Sequence, residues 1–167
     1  MVLPYFHRIM NPKTKVLFVC LGNICRSPLA EGLFRQAVAE RGTASNFEID
    51  SCGTNGLHDG ELPDPRTREN AASHGVTLAH RSRRIRPSDL DHYDRIFVMD
   101  DNNLRTVRGL CTTPEQHAKV EKIRSIDPDF PNADVDDPWY GGPAGFESVY
   151  RVLERVTGLW AERLGED

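Results

Sequence analysis

A continuous apolar run at residues 16–19 leads through a seven-residue turn into a helical pattern, and no other feature constrains the fold as strongly. A strand that is apolar on both faces is typical of a parallel sheet, because helices cover both faces of such a sheet. The helix after the turn is predicted to have Ser27 as its N-cap and Pro28 as its first residue, and to stop at Gly42. We therefore expect an α/β fold.

Strands and helices alternate along the rest of the chain. Further strands are predicted at 47–51, 95–99 and 120–126, and further helices at 63–74, around 87–92, at 102–110 and from Phe146 onward. This order predicts an open parallel sheet with helices on both faces. The 167 residues fit one domain, which we place at 14–167, after an N-terminal extension at 1–13.

Charge and composition exclude several classes of function. The net charge is −4 and the sequence pI is near 5.9, which argues against nucleic acid or an anionic membrane as a partner. No apolar run approaches the roughly 18 residues that span a bilayer, and the first residues do not resemble a signal peptide. The four cysteines and six histidines lack metal-ligand spacing. We expect a cytoplasmic protein without a metal or cofactor.

The turn at residues 20–26 is a candidate phosphate site. Its backbone N–H groups and the N-terminus of the next helix direct partial positive charge at one place. Gly22 permits the tight path, and Asn23 tolerates a left-handed conformation. Cys20 lies at the mouth of the turn, where these dipoles and Arg26 favour its thiolate form.

This arrangement predicts covalent phosphoryl transfer. The Cys20 thiolate would attack the phosphorus, Arg26 would hold two phosphate oxygens, and Ser27 would donate a hydrogen bond to the sulfur. Water would then release phosphate. The string C-x5-R-[ST] also arises by chance, and a small buried cysteine at a strand end is the common alternative. The strand before it and the helix after it favour the phosphate site.

A general acid is also needed, because the leaving alkoxide or phenoxide must be protonated. Asp136 and Asp137 precede Pro138, which disfavours helical geometry at the residue before it and so suits a carboxyl held on a loop. Trp139 and Tyr140 could line a slot for an aromatic ring. Taken alone, the segment would be interpreted as an Asp-Pro turn on a solvated loop.

Together these motifs resemble the low-molecular-weight protein tyrosine phosphatase family over residues 15–164. V-C-L-G-N-I-C-R-S-P at 19–28 resembles the family's signature loop, and D-P-W-Y-G-G at 137–142 resembles its general-acid loop. Further strings match in order: D-S-C-G-T at 50–54, P-D-P-R at 63–66, H-G-V at 74–76 and M-D-D-N-N-L at 99–104. The resemblance implies a flavodoxin-like, three-layer α/β/α fold with a four-stranded sheet, acting on tyrosine-phosphorylated proteins.

The resemblance also implies a role for each residue of the two loops. Cys20 is the nucleophile, Arg26 the transition-state clamp and Asp137 the acid and later the base. Asp136 is the less favoured acid, because the family's carboxyl directly precedes the proline. Phosphate, other oxyanions and the substrate ring are expected to contact Leu21, Gly22, Asn23, Ile24, Cys25, Ser27, Leu57, Trp139 and Tyr140.

A supporting network is implied behind the phosphate site. Ser51 and His74 match positions whose hydrogen bonds hold the loop, although a surface histidine at a helix end is an equal alternative for His74. Either Asp101 or Asp100 matches an aspartate that supports the loop from behind. Leu57 stands where the family often has Trp or Tyr, which predicts a less complete aromatic wall.

The three cysteines other than Cys20 are expected to have different roles. Cys25 resembles the family's second loop cysteine, which could trap an oxidised Cys20 as a reversible disulfide. Cys52 and Cys111 have no assigned role and are interpreted as buried filler.

Three other functions remain open at this stage. Arsenate reductases coupled to thioredoxin share the fold and loop, but they use a further cysteine pair in a region where this chain has Cys111 alone. Protein-arginine phosphatases are implied to carry a small polar residue at Ile24 and to lack the aromatic pair after the Asp-Pro step. A phosphoprotein-binding module should lack the nucleophile or the acid.

Overall fold

The computed structural model describes residues 12–166. The expected N-terminal extension therefore lies outside the described residues, except for Pro12 and Lys13, which are both exposed and precede the first strand.

Within residues 12–166, four strands form one sheet: β1 (Thr14–Cys20), β2 (Phe47–Gly53), β3 (Arg95–Val98) and β4 (Val120–Lys122). Every pairing is parallel, and the spatial order is β2-β1-β3-β4. The apolar run at 16–19 is fully buried in β1, which lies between two neighbours. The predicted four-stranded parallel sheet of a flavodoxin-like fold is confirmed.

In the described part of the chain, six helices flank the sheet: α1 (Arg26–Glu40), α2 (Pro65–Ser73), α3 (Asp89–His92), α4 (Asp101–Leu110), α5 (Pro114–Lys119) and α6 (Pro143–Gly165). One face packs on α1 and α6, where Phe18, Phe34 and Trp160 belong to the larger core cluster. The other face carries a second cluster that includes Leu17, Leu90 and Val107, from β1, α3 and α4. The sheet is thus the middle layer of three.

Three details differ from the sequence prediction. Helix α1 begins at Arg26, with Cys25 as a cap that lacks a side-chain bond, because the Ser27 hydroxyl faces Cys20 instead. Strand β4 is only three residues long and pairs with β3 alone; Ile123–Ile126 form a 3-10 turn. Helix α5 was not predicted, although Thr113 caps it and Pro114 begins it.

The sheet order places the first loop at a favourable position for binding. The connection after β1 crosses to β2 on one side, and β3 lies on the other, so the carboxyl ends of β1 and β3 border a topological switch point. Residues 20–26 follow β1 there, and Asp100 follows β3. In the part of the chain that the structure describes, no helix has both the length and the apolar character to cross a membrane.

Candidate active site

The phosphate loop, residues 20–26, turns tightly between β1 and α1. Asn23 adopts φ 56°, the left-handed conformation expected of it. Gly53 at the end of β2 lets the loop approach closely, since a Cβ there would lie 2.8 Å from the Leu21 carbonyl oxygen. A Cβ on Gly22 would lie 3.2 Å from the ring of His58, which covers that part of the loop.

The Cys20 sulfur is buried and has two polar neighbours. The Asn23 backbone N–H donates to Sγ at 3.3 Å, and the Ser27 Oγ lies 3.0 Å from it. The Asn23 side-chain amide donates to Ser27 at 2.8 Å and to Ser51 at 3.0 Å. Because Ser27 already accepts from Asn23, its own proton is free to point at the sulfur or at the Cys52 carbonyl, 3.3 Å away. Ser51 is therefore part of the network, as expected.

His74 does not reach this network, which corrects the sequence expectation. It caps the C-terminus of α2, where its ring stacks on Tyr150 at a centroid distance of 3.9 Å and its Nε2 lies 2.9 Å from Glu147. Both partners belong to α6, so the packing of α2 against α6 determines where His74 points.

His80 bonds the loop instead. Its Nε2 lies 2.9 Å from Asn23 Oδ1, and its Nδ1 lies 3.2 Å from Glu31 and 3.4 Å from Asp50. Sequence reasoning missed His80, because it lies in a segment without regular structure and no periodicity marks it. Glu31, which also accepts from the Ser51 hydroxyl at 2.8 Å, was missed as well.

Glu31, Asp50 and His80 form the one cluster of the described residues whose spacing could suit a metal ion. Both carboxylates already accept from arginines: Arg35 Nε donates to Glu31 at 3.0 Å and Arg83 Nε to Asp50 at 3.1 Å. These positive charges oppose a cation at the same place, and the cluster instead orients the His80 ring toward Asn23.

Arg26, the last residue of the phosphate loop, is 2% exposed. Its Nη1 donates to Asp100 at 2.6 Å and to the Val135 carbonyl at 3.0 Å, and its Nη2 lies 3.5 Å from Asp137 Oδ2. Burial alone would lower its pKa, but Cys20 and Asp100 raise the pKa overall, so the side chain carries a full positive charge.

Asp100, rather than Asp101, supports Arg26. Asp100 caps α4 by accepting the Asn103 N–H with Oδ1, which leaves Oδ2 directed at Arg26. Asp101 is the first residue of α4; it is exposed and pairs with Lys122 at 3.0 Å. The sequence left Asp101 and Asp100 open as the supporting aspartate, and this capping geometry selects Asp100 and excludes Asp101.

The acid loop, residues 136–142, lies across the phosphate loop. Asp137 caps the 3-10 turn Pro138–Tyr140 by accepting the Trp139 N–H at 3.0 Å, and its side chain is 41% exposed. Asp136 is also exposed and does not line the site. The geometry therefore brings Asp137 to Arg26.

One cavity of about 270 Å³ joins the two loops. It is lined by Cys20, Leu21, Gly22, Ile24, Cys25, Arg26, Asn55, Leu57, His58, Asp137, Trp139 and Tyr140. Asn23 and Ser27, which the sequence also predicted, are not among the lining residues, and sequence reasoning missed Asn55 and His58. Both follow the D-S-C-G-T string, where loop residues carry no periodic signal.

The remaining cysteines lie in different environments. Burial raises the pKa of Cys25 to about 12, and Cys20 and Cys25 are both free thiols, so their disulfide stays a prediction. Cys52 is fully buried, as expected, but Cys111 is only half-buried and corrects that expectation. It ends α4 beside a larger surface cavity of about 740 Å³ that contains neither loop.

Comparison with known proteins identifies the family of the chain. The sequence profile described as "Low molecular weight phosphotyrosine protein phosphatase" matches residues 15–167. The chain belongs to the low-molecular-weight phosphotyrosine protein phosphatase family. A low molecular weight protein-tyrosine-phosphatase of Streptomyces coelicolor is 44% identical over 150 residues, which cover 88% of this chain and 92% of the relative.

Other members of this family are similar over most of their length. The low molecular weight phosphotyrosine protein phosphatase of Schizosaccharomyces pombe is 43% identical over 145 residues, covering 86% of this chain and 92% of the relative. A crystal structure of a protein tyrosine phosphatase from Entamoeba histolytica, with Hepes in its active site, superposes with a TM-score of 0.88 at 34% identity. That match covers 92% of this chain and 98% of the other.

Proposed function

We propose that the protein hydrolyses phosphotyrosine in proteins through a phosphocysteine formed on Cys20. The observation that carries this proposal is that Cys20, Arg26 and Asp137 line one cavity of about 270 Å³. A nucleophile, a cation for the phosphoryl oxygens and a carboxyl for the leaving group then face the same small volume, as phosphoryl transfer requires.

In the first step the Cys20 thiolate attacks the phosphorus and the bond to the phenol oxygen breaks. The Asn23 N–H and the Ser27 hydroxyl, at 3.3 and 3.0 Å from the sulfur, stabilise the anion before attack. Arg26 and the loop N–H groups bind the phosphoryl oxygens, whose charge spreads in the transition state. Asp137, in its protonated form, gives its proton to the departing phenol oxygen.

In the second step water attacks the phosphocysteine. Asp137, now ionised, takes a proton from the water, and Cys20 leaves as a thiolate. The Ser27 hydroxyl donates to the sulfur as charge returns to it. Phosphate is then the product in the loop, so the same donors bind substrate, intermediate and product.

The walls of the cavity favour an aromatic phosphate ester. Ile24 and Leu57 supply apolar surface, and Trp139 and Tyr140 supply two aromatic rings beside Asp137. The Hepes in the Entamoeba relative is a sulfonate, a tetrahedral oxyanion like phosphate. Oxyanions are accordingly proposed as ligands of this loop.

Two related activities are the alternatives that the test must separate. Arsenate reduction needs a cysteine relay, but burial holds the pKa of Cys25 near 12 and Cys111 lies outside the cavity. Phosphoarginine hydrolysis is disfavoured by the apolar Ile24 and by the two aromatic rings. All four cysteines are free thiols, and thiols stay reduced in the cytosol, so we propose a cytoplasmic location.

The test compares hydrolysis of a phosphotyrosine peptide and a phosphoarginine peptide, with a chelator present. We expect phosphotyrosine turnover that the chelator leaves unchanged and that Cys20→Ser abolishes. Turnover of the phosphoarginine peptide alone would contradict the tyrosine assignment. Activity of Cys20→Ser equal to that of the wild type would contradict the mechanism.

A further inference from the structure

The acid loop is mostly exposed, although its function requires a fixed position. Within the described residues, Pro138 is the one buried member of the loop, and Tyr140 is 95% exposed. A general acid must lie within hydrogen-bond reach of the leaving oxygen, and a displacement of about 1 Å can cost about 10²-fold in rate. Contacts from outside the loop must therefore hold Asp137.

Two side chains outside the loop make polar contacts with it in the described part of the chain. Arg26 reaches Asp137 from the phosphate side at 3.5 Å. Arg66, near the start of α2, reaches the loop at a different residue: its Nη1 donates to the Trp139 carbonyl at 3.1 Å. The Arg66 guanidinium also lies 5.2 Å from the Trp139 ring centroid and 4.8 Å from that of Phe146.

Arg66 is itself held by a buried carboxylate. Asp64 Oδ1 accepts from the Arg66 backbone N–H at 2.8 Å and from its Nε at 3.0 Å, and Oδ2 accepts from Nη2 at 2.9 Å. These bonds lower the pKa of Asp64, so it stays ionised opposite the guanidinium. The planar guanidinium of Arg66 therefore donates to Asp64 from Nε and Nη2, and to the Trp139 carbonyl from Nη1.

Asp64 connects this pair to the phosphate loop. Its backbone N–H donates to the Ile24 carbonyl at 2.8 Å. A continuous series of hydrogen bonds thus runs from Ile24 through Asp64 and Arg66 to Trp139. The Trp139 N–H in turn donates to Asp137 Oδ1 at 3.0 Å, so the position of Trp139 determines the orientation of the acid.

We propose that Arg66 is a positioning residue for the general acid, which holds the acid loop at a fixed distance from the phosphate loop. This inference rests on the proposed function. Arg66 does not line the cavity and touches neither the nucleophile nor Asp137. Its effect therefore passes through the Trp139 peptide and is confined to steps that use Asp137.

Leaving-group dependence tests the proposal. The quantity kcat/KM reports steps up to departure of the leaving group, and only a poor leaving group needs the acid. We expect Arg66→Gln to lower kcat/KM about 10-fold for phenyl phosphate and less than about twofold for dinitrophenyl phosphate. The matched control is Arg68→Gln, because Arg68 lies on the same helix and donates to the Pro63 carbonyl instead. We expect it to change neither value by as much as twofold.

A double-mutant cycle gives a second readout that a general loss of structure would not produce. In an Asp137→Asn background, Arg66→Gln should not lower kcat/KM on phenyl phosphate any further, because the acid that Arg66 positions has already been removed. Arg66→Lys keeps the positive charge but not the planar guanidinium, so its kcat/KM on phenyl phosphate should lie between those of the wild type and Arg66→Gln. If Arg66→Gln does not fold, Arg66→Lys takes its place in the double-mutant cycle.

Two results would overturn the positioning role. One is an equal loss of kcat/KM on phenyl phosphate and dinitrophenyl phosphate in Arg66→Gln. The other is a double variant in which the losses of Arg66→Gln and Asp137→Asn multiply. Failure of the proposed function is a separate outcome. It would appear as a wild-type protein that hydrolyses neither ester, or as a Cys20→Ser protein that hydrolyses both, and it would remove the inference about Arg66 with it.

Discussion

The phosphate loop and the acid loop face each other across one cavity, but they are held in place in opposite ways. Most of the phosphate loop is buried: Cys20, Asn23 and Arg26 are each at most 3% exposed, although Leu21 is 49% exposed. The Asn23 side chain by itself makes hydrogen bonds to Ser27, Ser51 and His80. The acid loop is exposed and has two polar side-chain contacts from the described residues around it. One loop is fixed by many partners, whereas the other depends on few.

The proposed function gives this difference a chemical reason. A loop that binds phosphate must present its N–H groups in a fixed array before the substrate arrives, because reorganisation would cost binding energy. A loop that carries a general acid borders the entrance and must let the substrate in and the product out. Substitutions in the first loop should therefore change both stability and activity, and substitutions in the second should change activity alone.

The largest effect is expected at Arg26. In Arg26→Lys the ammonium cannot bond Asp100, the Val135 carbonyl and two phosphoryl oxygens together, because it lacks the planar fork. We expect a loss of about 10³-fold in kcat/KM on phosphotyrosine peptide, together with a lower unfolding midpoint. Steady-state kinetics and urea unfolding measure the two effects. A variant that kept its stability would contradict the description of the phosphate loop as tightly coupled to the core.

Asp137→Asn provides the opposite case. It should lower kcat/KM on phenyl phosphate by about two to four orders of magnitude, because the leaving oxygen loses its proton donor. Its stability should stay within about 0.5 kcal/mol of wild type, because the side chain is largely exposed. Native turnover of phenyl phosphate by this variant would show that the acid lies elsewhere.

A pair of histidine variants sharpens the comparison within the buried network. His80→Ala removes a bond to Asn23 Oδ1 and leaves the Glu31 and Asp50 carboxylates close together, so we expect about a 10-fold loss in kcat. His74→Ala should change kcat less than about threefold, but should cost about 1 kcal/mol of stability through the lost stacking on Tyr150. The reverse order of effects on kcat would restore the original assignment of His74.

The smallest effect is expected at Tyr140, whose side chain is 95% exposed. Tyr140→Ala should raise KM for phosphotyrosine peptide about threefold and leave kcat unchanged, because the ring can contact substrate but holds nothing in place. A comparable fall in kcat would show that the ring helps to hold the loop.

The sequence predicted the sheet and most of the residues that line the cavity better than it predicted the supporting contacts. The run at 16–19 and the turn after it follow from local rules, because burial and periodicity leave a direct mark on a strand and a helix. The choice between Asp100 and Asp101 does not follow from such local rules, because it depends on which of the two carboxylates caps α4. The contacts of His80 and Arg66 are harder to predict, because only tertiary packing brings each side chain to a loop that is distant in sequence.

Trapping of the intermediate tests the central claim most directly. Asp137→Asn protein, mixed with dinitrophenyl phosphate and quenched in acid, should carry one phosphoryl group on Cys20, because the good leaving group needs no acid and the later hydrolysis lacks its base. Mass spectrometry of the peptide that contains Cys20 measures this, with Cys20→Ala as the control. Release of dinitrophenol without a phosphoryl group on Cys20, or with one on another residue, would contradict the account.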